Sequence, residues 1–339
     1  MRSLIAALVA AVALITAGVA AAWVLTDGAN AAPAATPRSP VPAFVLDRGR
    51  FESFEASDPT VTLAPFGINN RGRISGEYLA PDRESGFLRE RRGRITRIDF
   101  PGAAGTQVDK INDRGQIIGN YSRVAPFLPG EGSRGFVLYR GKGTRIDVPG
   151  ARLTAPHGIN DRGHVVGQYN FAEGADHGFL WKRGRITTFH VPGATSTAPL
   201  AINNRGDVVG SYADSGGTLH GFLLRDGAYT SFDAPGGGLT FPFDINERGQ
   251  IVVSSVTPTA EDQFAGARGF VLRDGVDGPF TEIAFPGAPR TLATGIDDRG
   301  RIVGLYENPS AAATGARSAA ASPALDALPL AGAGRKETR

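Results

Sequence analysis

The sequence predicts an all-β protein, a six-bladed β-propeller built from four-stranded antiparallel blades. The first observation is a motif of the form Gly-Ile-Asn-x-x-Gly-x-Ile-Val-Gly-x-Tyr, which recurs six times at spacings of 43 to 51 residues. The second is that each repeat contains four short β-rich runs and no segment with helical periodicity. Four-stranded units repeated around an axis are the blades of a propeller. The copies begin at Gly67, Lys110, Gly158, Ala201, Asp244 and Gly295.

The third repeat, residues 158–201, shows how each unit is built. Its turn contains asparagine, aspartate and glycine, which tolerate left-handed backbone, and the run that follows is β-branched. A later run alternates apolar and polar side chains, as a strand with two different faces does. A Pro-Gly-Ala bend ends that run, since proline cannot donate a hydrogen bond to a sheet. The predicted strands span 164–169, 177–181, 185–191 and 197–203.

The chain starts and stops in the middle of a blade. Residues 44–54 match residues 222–232, in the back half of a repeat, whereas no Gly-Phe strand follows residues 301–306. We therefore expect three N-terminal strands to complete the blade that the C-terminal strand begins, which removes the free sheet edge. A glycine recurs inside the first strand of the repeat, and we expect that strand to lie innermost, where backbones approach closely. These glycines are Gly76, Gly119, Gly167, Gly210 and Gly304.

The segments that flank the repeats predict export. Residues 1–31 combine a charged start, an apolar run and a small-residue cleavage site, as a signal peptide does; the run is also long enough for an uncleaved membrane anchor. Residues 32–42 are predicted to be a linker, 43–308 the propeller, and 309–339 a disordered tail rich in alanine, glycine and proline. The chain has no cysteine, which excludes disulfides and thiol catalysis. We expect a secreted protein, or one anchored with the propeller outside the cytoplasm.

The repeat resembles that of the HAF-repeat family, a group of extracellular repeat proteins. The resemblance covers nearly all of residues 43–306. The tripeptide that names the family corresponds to His177-Gly178-Phe179 and His220-Gly221-Phe222, with glycine in place of alanine. The resemblance implies export and a repeat fold, and it implies no defined reaction.

In an antiparallel meander the connections alternate between two faces of the propeller, and the sequence predicts what each face contains. The tight turns, both Asn-x-Arg-Gly and those such as 182–184, are expected on one face, here named the turn face. The Pro-Gly-Ala bends and five loops of unequal length are expected on the other, the loop face. Variable loops on a constant scaffold often carry binding. The loops span 80–84, 122–133, 170–176, 213–219 and 257–267.

The first functional hypothesis places a binding site for an extracellular glycan or protein on the loop face. Basic and histidine side chains begin the strands behind the loops, and phenylalanines within the loops could stack on a sugar. The alternative is that these are ordinary solvent-exposed loops with structural histidines. The candidate residues are Arg134, His177, His220, Arg268, Phe127, Phe171 and Phe264.

The second hypothesis uses the turn face, where all six repeats place an arginine at the same position. A ring of guanidinium groups would attract an anionic polymer or an acidic lipid surface. The alternative is that each arginine packs over its own turn. A net charge of only +3, and no recognised nucleic-acid module, argue against a nucleic-acid ligand. The ring contains Arg71, Arg114, Arg162, Arg205, Arg248 and Arg299.

Candidate catalytic groups lie just before the Pro-Gly bends, at Asp99, Asp147, His190 and Asp233. If they converged in the channel, a polysaccharide-active hydrolase or lyase would be the alternative function. The competing interpretation is that each side chain caps its own bend. The sequence contains no zinc or calcium ligand pattern and predicts no cofactor. We therefore expect non-catalytic binding of a glycan or protein; the oligomeric state is not specified.

Overall fold

The computed structural model describes residues 41–308, with gaps at 82, 124–131, 172–174, 260–261 and 263–264. These residues form 24 β-strands in six four-stranded antiparallel sheets, which confirms the predicted six-bladed propeller. The predicted signal or anchor, the linker up to residue 40 and the tail lie outside the described residues. Within the ranges described, no helix has the length and apolar character to span a membrane.

Blades are numbered here along the chain. Blade 1 contains β3 (Thr62–Ile68), β4 (Ile74–Leu79), β5 (Glu84–Arg89) and β6 (Ile95–Ile98). Blade 2 contains β7 (Gly105–Ile111), β8 (Ile117–Ser122), β9 (Arg134–Tyr139) and β10 (Lys142–Ile146). Blade 3 contains β11 (Leu153–Ile159), β12 (Val165–Asn170), β13 (His177–Lys182) and β14 (Arg185–Phe189).

The remaining blades repeat this order. Blade 4 contains β15 (Ser196–Ile202), β16 (Val208–Ala213), β17 (Leu219–Arg225) and β18 (Ala228–Phe232). Blade 5 contains β19 (Leu239–Ile245), β20 (Ile251–Val256), β21 (Arg268–Leu272) and β22 (Phe280–Ile283). Blade 6 combines β23 (Thr291–Ile296) and β24 (Ile302–Tyr306) with β1 (Ala43–Asp47) and β2 (Arg50–Phe54).

Blade 6 is formed by two strands from each end of the chain. The prediction that three N-terminal strands and one C-terminal strand form this blade was therefore wrong. β1 pairs with β24, for example at Phe44 opposite Gly304. The Asn-x-Arg-Gly turn joins the first two strands of a blade and does not connect blades. A periodic sequence fixes the length of the repeat and leaves its starting point open, which is why the boundary was misplaced.

The innermost strand of each blade precedes the Asn-x-Arg-Gly turn, so the prediction of a glycine-containing innermost strand was also wrong. The inner strands β3, β7, β11, β15, β19 and β23 contact one another around the axis. Their axial edge is unpaired, which tolerates prolines such as Pro156. The recurring glycine lies on the second strand, opposite a β-bulge. A Cβ at Gly167 would lie 2.1 Å from the carbonyl oxygen of Ala155, so the strands approach too closely there for a side chain. Blade 5 is the exception, with Val253 opposite the same bulge.

The Gly-Phe pair of the third strand joins neighbouring blades. A Cβ at Gly178 would lie 2.9 Å from Pro199 of the next blade, and one at Gly135 would lie 2.7 Å from Pro156. The phenylalanine that follows points to the opposite side of the sheet and is fully buried, as Phe179 shows. Its equivalents are Phe44, Phe87, Phe136, Phe222 and Phe270. Each blade therefore buries its two sides against its two neighbours.

Two belts of hydrogen bonds join the Asn-x-Arg-Gly turns around the axis. In the first, the Oδ1 atom of buried Asn160 accepts from the N–H groups of Arg162 and His164 in its own turn, at 3.1 and 3.0 Å. Its Nδ2 group donates to the carbonyl of Asn203 in the next blade at 3.0 Å. The inter-blade bond recurs from Asn69, Asn112, Asn203 and Asn246. The asparagine of the repeat is thus a structural residue.

The second belt uses the residue after that asparagine. Asp161 accepts the backbone N–H of Asp113 in the preceding blade at 2.8 Å. The belt closes where Asn70 accepts the N–H of Asp298 at 3.0 Å. Its six members are Asn70, Asp113, Asp161, Asn204, Glu247 and Asp298. Every blade is therefore held to both neighbours at the turn face.

Blade 6 departs from this pattern because Asp297 stands where the other five blades have asparagine. A carboxylate cannot donate a hydrogen bond to the next blade. The guanidinium of Arg301 supplies the missing donor. Its Nε group donates to Asp297 at 2.6 Å, and its Nη2 group donates to the carbonyls of Asn69 and Asn70 at 3.3 and 3.2 Å. This buried pair completes the first belt where the two ends of the chain meet.

Candidate binding surfaces

The strand order confirms the predicted division into a turn face and a loop face. The turns after the first and third strands of each blade lie at one end of the sheets, and the loops and Pro-Gly bends lie at the other. Two predicted loop residues, Phe127 and Phe264, fall outside the described residues. The remaining candidates are placed on known strands and can be compared by their contacts.

On the loop face of blade 3, four rings pack into a row that we name the aromatic platform: Tyr169, Phe171, His177 and His190. Tyr169 and His177 are cross-strand neighbours with ring centroids 5.5 Å apart, and His190 lies 5.3 Å beyond His177. Phe171 contacts Tyr169 edge-on at 5.6 Å. Its side chain is 48% exposed, and it and Tyr139 are the two large apolar residues that the described chain leaves exposed. The structure thus brings together two predicted residues, Phe171 and His177.

The orientation of the His190 ring is fixed by its own bend. Its Nε2 atom donates to the carbonyl oxygen of Ala194 at 2.8 Å. Its buried Nδ1 atom has no hydrogen-bond partner among the described residues. The platform is therefore held rigid on one side while Phe171 faces solvent on the other.

Blade 4 carries the equivalent pair, with the rings of Tyr212 and His220 5.2 Å apart. Here the imidazole is flanked by two carboxylates, Asp233 at 2.8 Å and Asp214 at 3.4 Å. Desolvation lowers the pKa of His220, but the hydrogen bonds and charges of Asp233 and Asp214 outweigh it, so the pKa is raised overall. His220 therefore binds a proton more readily than a free imidazole does, and it lies on the loop face of blade 4, the next blade after the platform.

The other two predicted loop-face residues are engaged within their own blades. Arg134 forms an ion pair with Asp147 at 3.2 Å and donates to the carbonyl of Arg152 at 3.1 Å. Arg268 makes a bidentate pair with Glu282 at 2.9 and 2.6 Å. Both contacts neutralise the guanidinium charge, so these side chains brace the ends of strands and leave the blade 3 platform as the exposed feature.

The four candidate catalytic groups do not converge. In blade 1, Asp99 pairs with Arg83 at 3.2 Å. In blade 2, Asp147 pairs with Arg134. Asp233 pairs with His220, and His190 bonds its own bend, as described above. Each side chain is thus used locally, in a different blade. The predicted capping of the bend is seen at His190, whereas the three aspartates pair with basic side chains of their own blades.

All six arginines of the predicted turn ring are exposed on the turn face. Their backbone N–H groups serve the turns, as the bond from Arg71 to Asn69 at 3.1 Å illustrates. Arg205 pairs with Asp207 at 3.1 Å. For the other five, the described residues provide no ion-pair partner for the side chain. The ring is therefore available to solvent over most of its circumference.

Inside the ring, the axis opens into a cavity of about 70 Å³, which the sequence did not predict. The second-belt side chains form its rim. Lys110 of blade 2 and Asp244 of blade 5 form its floor, with 3.1 Å between Nζ and Oδ1. Lys110 also donates to the carbonyl of Phe66 at 3.1 Å, and Asp244 accepts the N–H of Ile296 at 2.9 Å. This buried pair spans opposite sides of the ring and ties four blades together.

The described residues contain no group of three or more histidine, aspartate or glutamate side chains placed to hold a metal ion. The rim carboxylates instead accept backbone N–H groups, which is the work of the second belt.

Two carboxyl groups near the blade 1–blade 2 contact predict a dependence of stability on pH. Burial raises the pKa of Glu84 to about 7, and burial together with Glu84 and Asp109 raises the pKa of Glu77 well above its usual value. Because the folded state favours the neutral acids, the contribution of these two groups to stability is fully present below pH 4.5 and is lost as pH rises toward 7 and above. We expect Glu84→Gln to raise the free energy of unfolding at pH 8 by up to about 3 kcal/mol. Urea titrations at pH 4 and pH 8 test this; equal effects at both values would contradict it.

Comparison with known proteins supports the fold and leaves the family unassigned. No family model matches the chain, and no curated protein matches it. A structure of a candidate TolB from Agrobacterium tumefaciens is 14% identical, covers 81% of this chain and 100% of its own, and superimposes with a TM-score of 0.56. Virginiamycin B lyase from Staphylococcus aureus is 12% identical and covers 75% and 98%, with a TM-score of 0.44. Aleuria aurantia lectin, a six-bladed β-propeller, is 11% identical and covers 69% and 83%, with a TM-score of 0.45. The likeness to the first of these structures, with its TM-score of 0.56, shows the β-propeller fold and no more.

Proposed function

We propose that this chain is an exported, non-catalytic binding protein that holds an uncharged glycan on the loop face of blade 3. The observation that carries the proposal is the aromatic platform, with Phe171 exposed at its end. Sugar rings present apolar C–H faces and hydroxyl edges, which suit an aromatic surface with a few polar groups beside it. Export is supported by the apolar N-terminal segment and by the resemblance to extracellular repeat proteins.

The surroundings of the platform supply both parts of such a site. Phe171 reaches toward the bend of blade 2, since a Cβ at Gly150 would lie 3.7 Å from its ring. His220 in blade 4, with its two carboxylates, adds hydrogen-bonding groups for sugar hydroxyls. Packed rings and bonded side chains are already ordered before a ligand arrives, which lowers the entropic cost of binding.

A hydrolase or lyase is the second candidate, and one observation favours it. His220 lies between Asp214 and Asp233, an arrangement that can hold and release a proton. The side chain is 22% exposed and lies on the same face as the platform. In this alternative, bound polysaccharide would be cleaved near blade 4, and soluble sugar would be released.

The test uses the purified full-length protein with insoluble cellulose, chitin and xylan. We expect at least one polysaccharide to retain the protein without release of soluble sugar. Sugar release that disappears in His220→Ala would instead establish the enzyme. Failure of all three polysaccharides to retain the protein would contradict the glycan proposal and direct attention to a protein ligand.

We expect Phe171→Ala to weaken retention about tenfold, which corresponds to about 1.4 kcal/mol of lost binding free energy. The side chain is half exposed, so its removal leaves the core intact. Tyr139→Ala is the matched control, because Tyr139 is the other exposed aromatic residue in the described ranges and lies at a turn on the opposite face. Equal losses in the two variants would contradict a site on the loop face.

A further inference from the structure

The turn face is not uniformly charged around the axis. Its outer turns, between third and fourth strands, are strongly basic in three successive blades and mixed in the next two. We name the basic stretch over blades 1 to 3 the basic arc. It contains Arg91, Arg92, Arg140, Lys142, Lys182 and Arg183, all exposed.

The arc differs from the rest of the turn face in how its charges are paired. Within the described ranges, none of the six side chains has an ion-pair partner. In blade 4, by contrast, Arg205 and Arg225 both bind buried Asp207 at 3.1 Å. The outer turn of blade 5 contains Asp274 and Asp277 beside Arg273. In the outer turns, unpaired positive charge is therefore concentrated in blades 1 to 3.

The loop face shows the opposite behaviour, since several of its basic side chains are neutralised by carboxylates of their own blade or the neighbouring one. Examples are Arg134 with Asp147, Arg268 with Glu282, and Arg290 with Asp262 and Glu307. The chain has nearly as many acidic residues as basic ones, 33 against 36. The unpaired arc is thus a property of where the acidic residues lie.

Backbone conformation singles out two of these positions. Arg140 and Arg183 adopt φ values of +50° and +48°, each followed by a glycine with positive φ. Two-residue hairpin turns of this kind favour asparagine, aspartate or glycine. The Cβ atom disfavours the left-handed region for arginine, whereas glycine, asparagine and aspartate adopt it more readily. The chain carries arginine at both sites, as it also does at Arg48 in the outer turn of blade 6, whereas blade 4 has Asp226 at this position.

The positive charge of the basic arc also affects a neighbouring histidine, His164. His164 lies in the inner turn of blade 3, between the two sets of basic turns. Desolvation, followed by the charges of Lys182, Arg162 and Arg183, lowers the pKa of His164. The cations of neighbouring turns therefore act together at this point of the surface.

We propose that the basic arc binds an anionic polysaccharide that follows the outer turns of blades 1 to 3. Guanidinium groups bind carboxylates in a bidentate fashion, and a polymer presents one such group after another along its length. Arg71, Arg114 and Arg162 of the inner turns lie on the same three blades and extend the surface toward the axis. A lipid surface is the less suitable partner, since the arc has no exposed apolar side chain for insertion beyond Tyr139.

The test measures binding of soluble alginate, a polyuronate, to the full-length protein at several salt concentrations. We expect binding that weakens steeply with salt, and no binding of uncharged dextran. In Arg140→Asn/Arg183→Asn we expect at least a tenfold weaker affinity for alginate and a smaller salt slope. Asparagine suits the left-handed turn position, so this variant keeps its fold, and an unchanged melting temperature checks that.

Arg248→Gln/Arg273→Gln is the matched control, because it removes two charges from the same face in blade 5, outside the arc. It is expected to bind alginate as the wild type does. An equal loss of alginate binding in both variants would overturn the proposal that the basic arc is the binding site. So would vesicles containing phosphatidylglycerol that bind while alginate does not. Neither result bears on the loop face, which is tested with uncharged glycans and Phe171→Ala.

Discussion

Arg301→Gln is expected to lower the free energy of unfolding by about 3–5 kcal/mol, because it leaves a buried carboxylate without its partner. The side chain of Asp297 is fully buried, and that of Arg301 is 10% exposed. The substitution also removes the donor that reaches Asn69 and Asn70 across the closure. Urea unfolding of both proteins at pH 7 measures the difference.

The protein itself suggests the compensating variant. Blades 2 and 5 have asparagine and glutamine at the two equivalent positions, and Nδ2 of that asparagine donates to the next blade. Asp297→Asn/Arg301→Gln would make blade 6 like these two blades. We expect the double variant to recover most of the lost stability, whereas Asp297→Asn alone buries an unpaired cation and stays destabilised. Additive losses in the double variant would contradict this account of the closure.

The second large effect is expected at the floor of the axial cavity. Lys110→Met leaves Asp244 buried with no cation, and we expect it to cost about 3–5 kcal/mol of unfolding free energy. Burial raises the pKa of Asp244 despite the opposing charge of Lys110, so the carboxylate already tolerates its site poorly. Urea unfolding at pH 7 again gives the measurement.

Removing both charges separates the ion pair from the packing of its stems. In Lys110→Met/Asp244→Asn, no charge stays buried, and the new amide oxygen can still accept the N–H of Ile296. We expect this variant to unfold within about 1–2 kcal/mol of the wild type, since well-packed neutral groups replace buried pairs at little cost. A double variant as unstable as Lys110→Met would show that the lysine stem, and not the charge, holds the cavity together.

The sequence was sufficient for the architecture because each repeat states the same local pattern. Tight turns, β-branched runs and Pro-Gly bends recur six times, and together they predict the four strands of a blade and its two faces. The sequence did not show which strand begins each blade, since the same repeat length fits any choice of first strand. The recurring glycine showed that space was limited and did not show what limited it. In the structure, the limit is set by the β-bulge on the strand opposite Gly167.

The candidate site could be predicted only in part, for a related reason. Phe171 and His177 could be recognised from the sequence, because they are ring-bearing residues in or next to the polar loop at 170–176. Tyr169 belonged to the repeat motif, and His190 was grouped with the candidate catalytic residues of the channel. Neither was therefore assigned to the same binding surface as Phe171 and His177. Cross-strand register places these residues side by side, and register follows from the fold. Lys110 and Asp244 meet across the axis, where no local pattern connects them.

The arginine ring illustrates the difference between recurrence and availability. The sequence shows six equivalent arginines and a nearly balanced charge. It does not show that Asp207 takes up two basic side chains in blade 4 while the turns of blades 2 and 3 remain unpaired. Pairing between neighbouring turns is a three-dimensional property: it neutralises the predicted ring in blade 4 and leaves the basic arc of the outer turns unpaired.

The measurement that tests the central claim most directly is hydrogen–deuterium exchange with and without soluble oligosaccharides of the polysaccharide that retains the protein. Binding to the aromatic platform predicts slower amide exchange at residues 175–178 and 190–195, on the loop face of blade 3. The turns at 160–164 and 182–185, at the other end of the same strands, are expected to be unchanged. Protection confined to those turns, or spread equally over all six blades, would contradict a glycan site on the loop face.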